Sequence, residues 1–514
     1  MNERETSRRE FLKQAGLAGL GLLLPTAAFP GGLTRAAGRG LDLLQAPAVN
    51  GWAGVDGILA RIKPPTFPNR VFALSEFGAV GDGEKDCTGS FRDAIAACNA
   101  AGGGRVIVPA GRFLTGPIHL KSGVDLHLSD GTVVQFSRDP RHYLPVVFTR
   151  WEGVELMNYS PFIYALDQQN IAITGRGTLD GQANEEYWWR WKGGAGRPGA
   201  SNQNAARERL MEMGMKGVPV AERVFGEGHY LRPNFIQPYR CKNVLVEGVT
   251  IVNSSMWEIH PVLCTNVTVR GVTINSHGPN NDGCDPESCR DVLIEGCCFD
   301  TGDDCIALKS GRNNDGRRLN MPVENVIIRD CVMADGHGGV VIGSEISGGA
   351  RNVFAEKCRM DSPQLDRALR IKTNSVRGGT VEHVYMRDVT VGQVAEAVVT
   401  VNYFYEEGDA GAWPPVVRDV EVRRVTSRKS KYVLLLRGYR HDPIQDVRLV
   451  DCSFEGVSDA DVIEHVRGLK LTNVRINGQM RKEEIGRDAE ITARTRAFLA
   501  ALNCCADWIG SRPA

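Results

Sequence analysis

Three carboxylates set the chemistry to be looked for. Asp282 closes the stretch Asn280-Asn281-Asp282, and the adjacent pair Asp303 and Asp304 follows 21 residues after it, inside Gly302-Asp303-Asp304-Cys305. That step is about the length of a short coil in a repeat solenoid, so one coil of separation would put all three side chains on one face. Clustered carboxylates cannot all ionise freely, and at least one holds its proton near neutral pH. A protonated acid beside ionised carboxylates is the equipment for hydrolysing a glycosidic bond. Taken alone, the pair after Gly302 suits a turn or a calcium site equally well, so the rest of the chain must decide.

A repeat supplies the frame. Its core is a polar pair followed by V-x-[apolar]-x-x-[V/C]-x-[apolar], as in KNVLVEGVTIV, TNVTVRGVTIN, RDVLIEGCCFD and ENVIIRDCVMA. The second residue of each pair marks the unit: Asn170, Asn243, Asn266, Asp291, Asn325, Asn352, His383, Asp419, Asp446 and Gly468. From Asn243 onward the markers are 22 to 36 residues apart, with no helical pattern between them. Strand-length alternation at this period predicts an all-β, right-handed parallel β-helix, with the polar pair exposed at a turn and the apolar positions stacked inward.

The register carries the chemistry further. Cys297, Cys331 and Cys358 each lie six residues after a marker, in the column filled elsewhere by Val249, Val272 and Val389. They read as small apolar core residues rather than metal ligands. Asp303 lies 12 residues after Asp291, and His337 lies 12 after Asn325. Adjacent strands are roughly 4.8 Å apart, so these two side chains become neighbours. In ALRIKTN, Arg370 and Lys372 share one strand face while Ile371 points inward, and two cations beside the carboxylates suit an anionic substrate. Tyr403 and Tyr405 are candidate sugar-stacking rings.

Around this frame the chain divides as follows. Residues 1–37 carry Arg8 and Arg9, then the apolar run Ala15 to Leu24 and Pro25, the pattern of a twin-arginine export signal. Residues 38–70 read as a lead-in, 71–480 as the β-helix and 481–514 as a C-terminal helical tail with Ile491, Thr495, Phe498 and Leu502 on one face. A helix from Ser90 to Ala101, capped by Ser90 and ended by Gly102 to Gly104, suits the open end of the solenoid. Between Asn170 and Asn243 the step is 73 residues, which marks an insertion at about 184–232. It crowds Trp188, Trp189 and Trp191 with Arg190, Lys192 and Arg197, offering stacking faces and cations, and it could wall off one end of a groove. The 514 residues balance 61 Lys plus Arg against 61 Asp plus Glu, which gives no basic surface for nucleic acid. No apolar run is long enough to span a membrane, so no anchoring is expected after export.

Together these residues resemble glycoside hydrolase family 28, the polygalacturonases, of the bacterial exo-acting type. Four signatures stand in the family's order, from Asn280-Asn281-Asp282 through Asp303-Asp304 and Gly336-His337-Gly338 to Arg370-Ile371-Lys372. Asn281 departs from the family's Thr. The resemblance implies an inverting hydrolysis of pectin or polygalacturonate without metal or other cofactor. Asp303 would be the general acid, Asp282 and Asp304 would activate water, and His337 would orient Asp303 or hold the scissile region by hydrogen bonding. Arg370 and Lys372 would bind the galacturonate carboxylate, with Asn280 and Tyr403 also in contact with substrate. The competing readings are a rhamnogalacturonan or xylogalacturonan hydrolase, a calcium-dependent β-helix pectate lyase, and a non-catalytic carbohydrate-binding β-helix. Of the first of these, the intact Arg370 and Lys372 pair argues for plain galacturonate instead. Nothing in the sequence bears on oligomeric state.

Overall fold

The computed structural model describes residues 51–193, 201–482 and 484–485. The export signal with Arg8 and Arg9, most of the C-terminal tail and Arg197 lie outside these residues. The marker strands run parallel and in register from coil to coil. A single column of valines, Val244, Val267, Val292, Val326, Val353, Val384, Val420 and Val447, lies one residue after successive markers. All are buried, and together with the second strand of each coil they enclose one continuous apolar core. A further parallel sheet, Ile306–Leu308, Val340–Ile342, Arg367–Lys372, Ala397–Asn402, Tyr432–Arg437 and Val462–Glu464, forms another face of the same coils. Among the described residues, no helix is long and apolar enough to cross a membrane.

The markers do more than turn the chain. The nine that are not glycine all have φ between +52° and +60°, and Gly468 has φ +73°. Asn and Asp tolerate this left-handed conformation best among residues with a Cβ. Their side chains then stack rather than face solvent. Asn243 Nδ2 donates to Asn170 Oδ1 at 2.8 Å, and Asn266 donates to Asn243 at 2.8 Å. Asn325 donates to Asp291, and Asn352 to Asn325, each at 2.9 Å. From Asn170 to Asn266 and from Asp291 to Asn352 the second member of the pair is therefore a rung of a side-chain ladder, which corrects the expectation that the whole pair is exposed; Asp446 is exposed as expected. The cysteine column is as expected, and Cys241, Cys264 and Cys289 form another, two residues before their markers.

Two local expectations need revision. The N-terminal helix spans Thr88–Ala100 and Ser90 lies inside it. The Asp86 carboxylate accepts from the Thr88 backbone at 2.9 Å, so the acid two residues earlier does the work assigned to Ser90. The segment from residue 51 to 63 is not a bare lead-in. Trp52, Val55, Ile58 and Ile62 cover Leu293, Ile327, Phe354 and Tyr385 on the outer surface of the marker strands. The Lys63 backbone N–H donates to Asn266 Oδ1 and the Lys63 carbonyl accepts from Asn266 Nδ2, so the segment joins the ladder.

The insertion is folded onto the coils. Trp188 is buried in the main core, and Trp189 and Trp191 pack against it. The indoles therefore anchor the insertion rather than offering open faces. Its helix Asn204–Lys216 joins the antiparallel hairpin of Val147–Trp151 and Val154–Asn158 in a separate apolar cluster that includes Trp151, Leu156, Leu210, Phe225 and Trp257.

The ladder predicts an order of stabilities at Asn325, which is 1% exposed. Both Asn325→Ala and Asn325→Gly delete two hydrogen bonds. Alanine adds left-handed strain of about 1–2 kcal/mol, whereas glycine adds chain entropy of about 0.5–1 kcal/mol. The apparent Tm should fall in both, and further in the alanine variant. A glycine variant as unstable as the alanine one would show that backbone conformation does not limit this position.

Candidate active site

The sheet that starts at Ile306–Leu308 sets the site. Single bridges continue its columns backwards, joining Ile259 to Cys284 and Cys284 to Ile306, and Val340 follows Ile306 in register. Two residues before those positions stand Trp257, Asp282, Asp304 and Gly338, so Asp282 and Asp304 occupy one column on adjacent coils. The neighbouring column holds Asn281, Asp303 and His337. One oxygen from each of the three carboxylates lies within 4.8 Å of the others.

Each acid has a different environment. Asp304 is fully buried, with Lys372 Nζ 2.6 Å from Oδ2 and Arg370 Nη1 3.3 Å from Oδ1. Asp303 Oδ1 meets His337 Nδ1 at 2.9 Å and also accepts the Asp304 backbone N–H. Asp282 lies 3.4 Å from Lys309 Nζ through Oδ2, and its Oδ1 has no protein partner. Burial first, then the charge of Asp303, pushes Asp282 up to about 8. Burial also works against ionising Asp303, but the hydrogen bond and charge of His337 outweigh it and hold that carboxyl below its ordinary range. The same hydrogen bond lifts His337 to about 9. Of the three acids, a proton is thus favoured on Asp282 over Asp303, whose carboxylate faces the His337 imidazole. The family resemblance implies Asp303 as the general acid, and in the resting site its pairing with His337 lowers that carboxyl's pKa.

Glycines on either side of His337 are required by close approach. Gly336 has φ +143°, and a Cβ there would meet the Asp303 carbonyl at 2.5 Å. At Gly338 it would meet Val341 at 2.5 Å and press towards Asp304 and Arg370. Asn281 is wholly buried. Its Oδ1 accepts from Ser276 Oγ and the Gly278 N–H, and its Nδ2 donates to the carbonyls of Ser254 and Met256. The residue that departs from the family pattern thus braces the turn that presents Asp282.

One expected substrate contact falls elsewhere. Arg370 and Lys372 share a face, as expected, and both pair with Asp304, while Lys372 also lines the cavity. Tyr403 is fully buried against Tyr439, and its hydroxyl accepts the Val417 N–H. Tyr405 instead reaches the cavity, with Lys372 Nζ 5.3 Å and the Arg370 guanidinium 5.7 Å from its ring centre. Asn280 does line the cavity, and its Oδ1 accepts from Arg232 at 2.8 Å.

The cavity measures about 160 Å³ and holds groups that the sequence motifs did not reveal. Lys309 is central. It is buried over the Trp257 ring and lies 3.6 Å from Asp285 and 3.4 Å from Glu345 as well as beside Asp282. Burial opposes its charge, but these carboxylates together raise its pKa. Arg312 pairs with Glu345 at 3.2 Å and Glu406 at 3.0 Å. The alternation of Ile306 and Leu308 inward with Ala307 and Lys309 outward was the available signal for Lys309.

The proton on Asp282 has a measurable consequence. A carboxyl whose pKa is higher folded than unfolded contributes stability below about pH 4, and loses it as pH rises towards about 8. Asp282→Asn copies the neutral form. Its Tm should exceed that of the parent by a margin that widens between pH 4 and pH 8, while activity is lost. A margin independent of pH would mean that Asp282 is ionised in the folded state.

Comparison with known proteins identifies the family. The model of glycosyl hydrolases family 28 matches residues 226–474. A solved structure of a hyperthermoactive exopolygalacturonase from Thermotoga maritima is 48% identical, with a TM-score of 0.82 over 85% of this chain and 99% of that one. A probable polygalacturonase of Vitis vinifera is 29% identical, over 73% of this chain and 72% of its own length. An exo-poly-alpha-D-galacturonosidase of Dickeya chrysanthemi is 26% identical over 70% of this chain and 62% of its own. The chain belongs to family 28 of the glycosyl hydrolases.

Proposed function

We propose that this enzyme is a polygalacturonase acting from chain ends on the α-1,4-galacturonosyl bonds of pectin, with inversion. The observation that carries the reading is the carboxylate trio itself, each acid in a different electrostatic setting within 4.8 Å of the others. Two oxygens that far apart can share one water at hydrogen-bond distance from both. Asp282 and Asp304 flank such a water; Asp304, paired with Lys372 and Arg370, takes its proton, and Asp282, which holds its own, orients it. Asp303 protonates the departing glycosidic oxygen. It obtains that proton from His337, because sugar covering the half-exposed imidazolium favours the neutral form of the pair. Lys309, Arg370 and Lys372 offset the negative charge so that the trio can exist.

Chain-end action is supported by the folded insertion and the hairpin at residues 147–158, which stand at one side of the cavity through Glu152, Lys192 and Arg207. Two of the relatives above are named as exo-acting enzymes. On polygalacturonate, galacturonic acid should dominate the products from the first minutes, with viscosity falling slowly and a chelator without effect. Asp303→Asn should lower kcat by about 10²–10⁴-fold. Early mixed oligomers with collapsing viscosity would show an open groove, and an unsaturated, chelator-sensitive product would show a lyase.

Export belongs to the same proposal, since a polymeric substrate does not enter the cell. It rests on Arg8 and Arg9 ahead of the apolar run. Residues 1–40 fused to a folded reporter should carry it out of the cytoplasm, and Arg8→Lys with Arg9→Lys should stop it. Unchanged export by the double variant would contradict the twin-arginine route.

A further inference from the structure

The cations around the cavity are nearly all taken. Arg207 donates to Glu152 at 2.7 Å. Lys309 is shared by Asp282, Asp285 and Glu345, Arg312 by Glu345 and Glu406, and Lys372 is held by Asp304. Arg232, fully buried, gives its guanidinium to Gln203, Asn280 and the carbonyls of Ser255 and Pro279. Lys192 differs. It lines the same cavity as Asp282 and Asp303, half-buried, and its ammonium forms no hydrogen bond or ion pair with the described residues.

Its placement is firm. Lys192 ends the turn Trp189–Lys192, whose rings are fastened to the coils. Trp189 Nε1 donates to the Ser254 carbonyl at 2.7 Å, Trp191 packs on Trp188, Tyr159 and Tyr230, and the Trp191 carbonyl accepts the Gln203 N–H at 2.8 Å. Burial lowers the ammonium's pKa more than nearby Glu152 raises it, and Arg232 and Arg207 lower it further. A charge removed from water without a partner is costly, and an anion arriving in the cavity relieves that cost.

We propose that Lys192 receives the carboxylate of the terminal uronate residue and is a determinant by which the cavity selects an acidic chain end. This rests on the chain-end hydrolysis proposed above. Arg370 and Lys372 already pair with Asp304, whereas Lys192 brings a cation that no carboxylate of the cavity holds. A compact ammonium on a flexible stem suits a single carboxylate approaching in a confined space.

The test uses the full enzyme and two trigalacturonides, one fully acidic and one methyl-esterified only on the residue that is released. The parent enzyme should prefer the acidic substrate. Lys192→Met should lose about 10- to 100-fold in kcat/KM on the acidic substrate, mostly through KM, which is the range for a lost hydrogen bond to a charged group. It should change by less than about threefold on the ester, and Lys192→Arg should recover most of the loss. Equal losses on both substrates, or none on the acidic one, would overturn the assignment. If Lys192→Met fails to fold, the parent's own ratio still decides, because a parent indifferent to the ester cannot be reading that carboxylate. A parent that releases no uronate from the acidic substrate would instead overturn the chain-end reading itself.

Discussion

Parallel coils stacked about 4.8 Å apart turn sequence position into columns, and columns force like side chains together. In the core this is harmless, since valine on valine and cysteine on cysteine only exclude water. On the Ile306–Leu308 face the same register puts Asp282 over Asp304 and Asp303 next to His337. Like charges opposite one another on neighbouring strands repel. The left-handed markers and their amide ladder hold the coils in that register regardless. The site is thus a local electrostatic liability maintained by a long, cooperative scaffold.

Cations decide how the liability is distributed. Lys372 and Arg370 are committed to Asp304, Lys309 is divided among Asp282, Asp285 and Glu345, and His337 is committed to Asp303. Asp282, whose Oδ1 has no protein partner, is pushed up to about 8, and burial raises Asp285 beside it as well. Because these groups are close enough to titrate as a set, moving one proton among them changes the role of each. Substrate that covers the exposed side of His337 can therefore drive its proton onto Asp303, leaving an acid there and an acceptor at Asp304 while Asp282 keeps its own proton.

Much of this could be read from residue order. The markers, the cysteine column and the pairing of Asp303 with His337 follow from counting a fixed number of places along each unit, and a solenoid obeys such counting. What escaped was whatever leaves the coil pattern. Tyr403 and Tyr405 share strand parity, but they follow the end of Ala397–Asn402, where the chain leaves the sheet, so one ring is core and the other lines the cavity. The segment at 51–63 has no repeat and reveals itself only through the apolar patch it covers. The indoles of the insertion looked like sugar platforms because composition cannot say which way a ring faces. Arg370 and Lys372 were legible as cations but not as partners of Asp304, since ion pairing depends on distance across coils and not on type.

Carboxylates within 4.8 Å of one another have the spacing usual for a retaining, covalent mechanism, so the proposed inversion requires that Asp282 and Asp304 hold a water between them instead of attacking the sugar. The anomer of the first product released reports this directly. Proton NMR of trigalacturonate hydrolysis, followed before mutarotation, should show the new reducing end first as the β-anomer, opposite to the α-linkage that was cut. An α-anomer at the earliest times would mean that one of the three acids attacks the sugar, and the single-water arrangement would be wrong.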